Sequence, residues 1–363
     1  MSFSKRMSRI KPSGIRAVQK RIAGKSDMIS FAAGLPDPAL YPLEDLRKAA
    51  DTMLEKEGAT AFAYGLTKGY GPLLDYLTDR MNNREHVECT KENICILSGS
   101  QQGLGLAAMT FLDEGDVVIT ENPSYLGAIN AFRPYGAEFV GVDTDDDGIV
   151  IEDLERALEE NPNTKLIYVI PNFQNPTGKA WTLERRERFM EVVAKYDVAV
   201  VEDNPYGDLR FKGEPLPHLR ALDKKGQVIY LGSFSKILSP GMRVAWTCAS
   251  KEVATAFESL KETNDLQSPE LTQMLTYYYL KMFDLEKHIE EIQVVYKERC
   301  ELMVEMIRKY FPAEIKYTDP EGGMFLWLEL PEGLDSDAIL DDALAAGIAY
   351  IPGESFFSFD GVK

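Results

Sequence analysis

The chain has 363 residues, 45% hydrophobic and 27% charged, proportions of a folded globular protein rather than a disordered one. With 40 basic against 58 acidic residues its formal net charge is -18, which disfavours nucleic acid as a partner. No run of about twenty apolar residues offers a membrane span, and the start, Met-Ser-Phe-Ser-Lys-Arg, lacks the apolar stretch of a secretory signal. The four cysteines and three histidines are not paired at zinc-site spacing, so no metal centre is expected, and a cytoplasmic, reducing setting is.

In chain order, residues 1 to about 30 are basic and read as a solvated arm and helix, with Ser13 placed to cap a helix whose first turn carries Arg16. Phe31-Ala-Ala-Gly-Leu-Pro-Asp-Pro38 is too rich in proline and small residues for regular helix, and Gly34 permits close backbone approach to a ligand. Tyr64-Gly-Leu-Thr-Lys-Gly-Tyr-Gly71 is a loop between two helical patterns; Tyr64 either offers its phenol to a ligand or is a core aromatic.

From about residue 93 a unit repeats: an apolar, β-rich run, a loop, then a helical period. The predicted strands cover 93–97, 117–120, 137–142, 166–170, 198–201, 228–231 and 244–247. Strands alternating with helices imply α/β architecture, a large domain with a mostly parallel, doubly wound sheet. Asp143-Thr-Asp-Asp-Asp-Gly148 resembles the start of a calcium loop, but Leu154 stands where the last ligand would be, so it reads as a turn. Beyond Val253 come helices over 268–282 and 285–311, a strand over 324–330, a helix over 336–346 and a strand over 349–352. These form a smaller α+β domain. The expected division is 1–45, an arm and part of the small domain; 46–255, the large domain; and 256–363, the remainder of the small domain.

In a parallel sheet the chemistry sits beyond the carboxyl ends of the strands, and five such loops carry informative groups. Gly99, Ser100 and Gln101 open a helix, where backbone amides and the dipole favour an anion. Tyr125 is a flat ring able to stack, Asn175 a donor beside Pro176, and Asp203 a carboxylate after an apolar run that needs a cationic partner. Tyr206 follows three residues later. The fifth loop, Gly-Ser-Phe-Ser-Lys236 with Arg243 beyond it, puts a lysine between two buried strands with a cationic neighbour. Desolvation and that neighbour lower its proton affinity and make the amine a nucleophile of the Schiff-base type. Ser233, Ser235 and Arg243 are the groups that hold a phosphate. Singly, these features are common turns, core rings and caps; together they are the parts of one cofactor site.

On these residues the chain resembles the fold-type I pyridoxal 5′-phosphate (PLP) enzymes of the class I/II aminotransferases, and most closely the 2-aminoadipate/kynurenine aminotransferase group. The likeness runs from about Ser13 to the last residue, through Ser-Gly-Ser-Gln-Gln, Glu-Asn-Pro-Ser-Tyr, Gln-Asn-Pro-Thr-Gly, Glu-Asp-Asn-Pro-Tyr and Ser-Phe-Ser-Lys. It implies Lys236 as the Schiff-base lysine, Asp203 as partner of the pyridine nitrogen and Tyr125 stacked on the ring. Asn175 and Tyr206 would meet the ring oxygen, and Gly99, Ser100, Gln101, Ser233, Ser235 and Arg243 the phosphate. Tyr64 would reach the phosphate of the neighbouring subunit in a homodimer. Gly34 and Asn175 would lie beside the substrate carboxylate, and Arg16 would receive its side chain.

The implied reaction moves an amino group from an L-amino acid to a 2-oxo acid, by analogy 2-oxoglutarate. The alternatives are the effector domain of a PLP-binding transcription regulator and a PLP-dependent β-lyase. Family members also carry a carboxylate-clamping arginine and a final helix beyond the point where this chain stops at Lys363. The resemblance therefore implies a truncated chain or impaired substrate binding, with cofactor binding retained.

Overall fold

The computed structural model describes residues 2–10, 14–24, 27–32 and 34–357, and of residues 14–17 the backbone alone. The first half carries helices α1 (Lys5–Ser8), α2 (Gly14–Ile22), α3 (Leu43–Ala61), α4 (Gly71–Asn83), α5 (Ser100–Phe111), α6 (Leu126–Phe132) and α7 (Ile151–Glu160). The second half carries α8 (Leu183–Val193), α9 (Leu219–Leu222), α10 (Lys251–Asn264), α11 (Glu270–Met282), α12 (Leu285–Tyr310) and α13 (Leu340–Ala345). The strands are β1 (Ile29–Ser30), β2 (Ile94–Leu97), β3 (Val117–Asn122), β4 (Glu138–Asp143), β5 (Thr164–Val169) and β6 (Ala199–Asn204). They continue with β7 (Val228–Ser233), β8 (Ala245–Cys248), β9 (Lys316–Tyr317), β10 (Leu328–Glu329) and β11 (Ile348–Ala349).

Seven strands form the central sheet in the order β2-β8-β7-β6-β5-β3-β4. The pairs β3–β4, β3–β5, β5–β6 and β6–β7 are parallel, and β8 runs antiparallel to both neighbours. Such strands are covered on both faces, which is why they read as apolar runs without alternation. Successive residues nevertheless face opposite sides: Val118, Leu166, Tyr168, Val201 and Ile229 join one core, while Ile119, Ile167, Val169, Val200 and Val228 join another. Helix α7 shows the matching helical pattern, burying Ile151, Leu154, Ala157 and Leu158 on one stripe. The hydroxyls of Thr182 and Ser250 cap α8 and α10 by accepting from the backbone of Arg185 and Val253.

The predicted α/β class with a mostly parallel sheet is the architecture found. The smaller elements differ from expectation. In place of a strand over 324–330, only Leu328–Glu329 pair, with β9. Gly322 bridges Arg210 and Gly323 N–H bonds Leu209 O, both glycines lie against Phe173, and Phe325 packs on Gly34 and Gly178, so this stretch follows the cleft wall with an isolated bridge instead of a full strand pairing. The helix expected over 336–346 forms at Leu340–Ala345, because Asp335 first accepts from the Asp337 backbone and turns the chain locally. The strand expected over 349–352 is Ile348–Ala349, paired in parallel with β1, and Pro352 has no N–H to extend it.

Candidate active site

The exits of β7, β2, β3, β5 and β6 converge on one cleft, whose wall includes Gly34, Gln101, Tyr125, Asn175, Tyr206, Lys236 and Arg243. At the end of β7, Ser233 is buried and its Oγ accepts from the Ser235 backbone at 3.0 Å, which turns the chain out of the sheet. Phe234 N–H bonds Val244 O at 3.1 Å, closing the loop that carries Lys236. The Lys236 ammonium donates to the Gly34 carbonyl at 3.1 Å and lies 5.7 Å from the Tyr206 ring centroid. Burial, with Arg243 adding to it and Asp203 opposing, lowers the lysine from 10.5 to about 8.

Arg243 adopts a left-handed backbone, φ 52°, and donates to Ser98 O at 3.1 Å. That aims its guanidinium at the turn before α5. Gly99 there has φ 95°, and a Cβ on it would collide with the guanidinium, so glycine is what lets the arginine and the helix N-terminus share one concavity. The first residue of α5, Ser100, holds its hydroxyl buried without a partner, while Gln101 Nε2 is tied to Gly127 O at 2.9 Å. Tyr125, immediately before α6, lays its ring over Gly127, where any side chain would displace it.

Asp203, near the end of β6, is 3% exposed. Its expected cationic partner is not at bonding distance: Oδ2 accepts instead from the neutral Tyr168 hydroxyl at 2.9 Å, and Oδ1 has no partner. Burial raises the carboxyl from 3.8 to about 6, against the opposing effects of Tyr168 and Lys236. Asn175 Nδ2 donates to the Tyr206 hydroxyl at 3.4 Å, and its Oδ1 is likewise buried and unpaired. Tyr206 packs edge-on to Phe325, centroids 5.3 Å apart.

Twelve of the sequence-derived residues thus gather here, five of them (Gly99, Ser100, Asp203, Ser233 and Ser235) behind or beside the lining rather than on it. Tyr64 does not join them; it is 87% exposed on its own chain. The Arg16 side chain lies outside the described residues. Tyr168 and Phe325 were not anticipated. Among the described residues no group of three or more His, Cys, Asp or Glu is arranged to hold a metal ion, and no helix is long and apolar enough to cross a membrane.

A family profile, Aminotransferase class I and II, matches residues 26–358. The chain belongs to this family. An "Aromatic-amino-acid aminotransferase 1" of Thermococcus litoralis is 41% identical over 99% of this aminotransferase and 87% of its own length. The solved Pyrococcus horikoshii kynurenine aminotransferase, in complex with PMP, KYN as substrates and KYA as products, superposes with TM-score 0.95 at 40% identity, covering 99% of this chain and 90% of that one. LysN, the α-aminoadipate aminotransferase of Thermus thermophilus, solved with N-(5′-phosphopyridoxyl)-L-leucine, gives TM-score 0.91 at 38% identity over 98% and 89% of the two chains. The aminotransferase also matches proteins named as helix-turn-helix transcriptional regulators, among them Escherichia coli YdcR, 31% identical over 91% of this chain and 70% of that one.

Proposed function

We propose that this aminotransferase moves the amino group of an L-amino acid to a 2-oxo acid, with 2-oxoglutarate as the acceptor and PLP held at Lys236. The observation that carries the reading is a set of buried polar atoms left without partners around one lysine: Ser100 Oγ, Asn175 Oδ1 and Asp203 Oδ1. Buried polar atoms are almost always satisfied, so a cluster of orphans beside a cleft is the imprint of a polar ligand. When bound, the cofactor supplies an electron-accepting pyridinium ring that stabilises negative charge at the substrate's Cα.

The chain's own residues divide the remaining work. Lys236, with proton affinity reduced to about pH 8, is the amine that engages the cofactor aldehyde. With PLP and substrate bound, the same amine would be the general base that takes the proton from the substrate's Cα and the general acid that returns it. Asp203 holds the proton on the pyridine nitrogen. Asn175 and Tyr206 would contact the ring oxygen, and the Tyr125 face would cover the ring. The N-terminus of α5 with Gly99, Ser100 and Gln101, together with Ser233, Ser235 and Arg243, neutralises the phosphate. Gly34, whose carbonyl already meets Lys236, marks the substrate carboxylate end, and Arg16 on α2 serves the substrate side chain. Tyr64, between exposed Phe62 and Leu66, reaches the phosphate of a second copy in a homodimer, which gives that apolar tip a covered surface.

The test is borohydride treatment of the chain mixed with PLP, followed by peptide mapping and an amino-donor panel with 2-oxoglutarate. A label on Lys236 and a donor-dependent loss of the cofactor's visible band are expected, both abolished in Lys236→Ala. A protein that binds no cofactor, or is labelled elsewhere, refutes the proposal. The effector domain of a regulator is the second reading, favoured by the likeness to helix-turn-helix proteins; cofactor binding without any donor-dependent spectral change, combined with DNA binding, would select it.

A further inference from the structure

Tyr168 is the fifth of the six residues of β5, fully buried, with its ring edge-on to Phe132 at 6.0 Å between centroids and 70° between planes. The register explains what its hydroxyl reaches. Tyr168 pairs with Val201 of β6, and Asp203, two residues further along, points to the same face of the sheet. A tyrosine leaning along the strand spans that step, and the 2.9 Å bond to Asp203 Oδ2 is the result.

We propose that Tyr168 is a positioning residue which, through Asp203, fixes the carboxylate that keeps the cofactor's ring nitrogen protonated. The proposal rests on the reading of Asp203 given above. With Oδ2 engaged by a fixed phenol, the carboxylate cannot turn that oxygen away, and Oδ1 is left buried and free for a single donor. The other titratable groups around Asp203 are Lys236, Tyr125 and Tyr206. Burial drives Asp203 toward its neutral form, and two groups counter it, Tyr168 and Lys236. Lys236 is the reacting amine, whereas Tyr168 is locked in a strand and holds its proton, because burial pushes its own titration well above the ordinary range. Tyr168 is therefore the constant donor that keeps Asp203 anionic. A buried tyrosine also needs some partner for its hydroxyl, so simple packing is the competing account.

The two accounts separate on the ligand's ring atom. The experiment measures dissociation constants of the apoprotein for PLP and for the carbocyclic analogue in which the ring nitrogen is replaced by C–H. Wild type should prefer PLP. In Tyr168→Phe, PLP affinity should fall roughly tenfold or more, the scale of a hydrogen bond to a charged group, while affinity for the analogue is unchanged. The acid limb of PLP binding should move to higher pH, because an Asp203 without its donor protonates earlier. In an Asp203→Asn background Tyr168→Phe should add nothing further to PLP binding. Equal weakening toward both ligands means that the ring only packs, and an unchanged preference means that the hydroxyl is idle; either overturns the proposal alone. A wild type indifferent to the ring atom removes the Asp203 reading and this inference with it.

Discussion

Lys236 Nζ donates to the carbonyl oxygen of Gly34, joining two residues 202 positions apart at 3.1 Å. The contact folds the stretch after β1 over the lysine and makes the amine's surroundings a product of two distant segments of the chain. The Asp203 charge favours the ammonium form, but burial and the Arg243 charge outweigh it, so the lysine ends near pH 8 rather than 10.5.

The first prediction follows from that balance. The neutral amine is the nucleophile, so its reactivity rises as pH rises through the folded-state value and then levels. Labelling of Lys236 by pyridoxal and borohydride should be half-maximal at about pH 8. Arg243→Gln removes the cation that helps depress it and should move the midpoint upward; pyridoxal carries no phosphate, so loss of anion binding does not confuse the result. A wild-type midpoint near 10.5, the ordinary lysine value, would contradict the burial argument.

Gly34 is the second test. It sits at φ 52°, and a Cβ there would run into the Phe325 ring, itself packed on Tyr206. Gly34→Ala adds about 1–2 kcal/mol of backbone strain and pushes that ring aside. The expected outcome is a raised KM for the amino donor with cofactor affinity little changed, measured by steady-state kinetics and cofactor titration. An unchanged KM would show that Phe325 moves freely.

How far the sequence carries this site depends on residue position along a strand. Lys236, Asp203 and Asn175 were legible because each follows an apolar run, and the end of such a run in a parallel sheet is where ligands sit. Tyr168 was not, since it lies inside the run 166–170 and is indistinguishable there from core; its role depends on the β5–β6 register, which no single-strand pattern contains. The wrong boundaries near the C-terminus have a different origin. Strands such as β9, β10 and β11 are two residues long, too short to show any period, and Gly322 makes only an isolated bridge to Arg210.

Gly99→Ala is the third prediction. The new methyl would meet the Arg243 guanidinium, and φ 95° disfavours any side chain. Displacing the arginine weakens a charge-assisted phosphate contact, worth roughly a tenfold change in affinity or more. Affinity for PLP should drop by that factor while affinity for pyridoxal, which has no phosphate, stays nearly constant. Equal losses for both ligands would move the phosphate away from this turn.

The fourth prediction concerns stability and a buried trio away from the cleft. His218 Nε2 lies 2.8 Å from Glu85 Oε2 and Nδ1 lies 3.3 Å from Glu202 Oε1. Burial by itself would lower the imidazole, but Glu202 and Glu85 outweigh it and hold His218 at about 9, above its ordinary 6.5. A raised histidine contributes stability that is fully present below the unfolded value and is lost as pH rises through about 9. Glu85 behaves oppositely: burial pushes it up, His218 and Arg80 pull it down further, to about 2, so its contribution is present above 4.5 and fades as pH falls toward 2. His218→Ala leaves buried Glu202 without its cation and Glu85 with Arg80 and Arg84 alone, a change on the order of 3–5 kcal/mol. In urea unfolding the deficit relative to wild type should be largest near pH 6 and shrink at about pH 10, where the wild-type histidine is itself neutral. A deficit that grows with pH would mean that His218 is neutral in the folded protein and that the trio is held by hydrogen bonds rather than by charge.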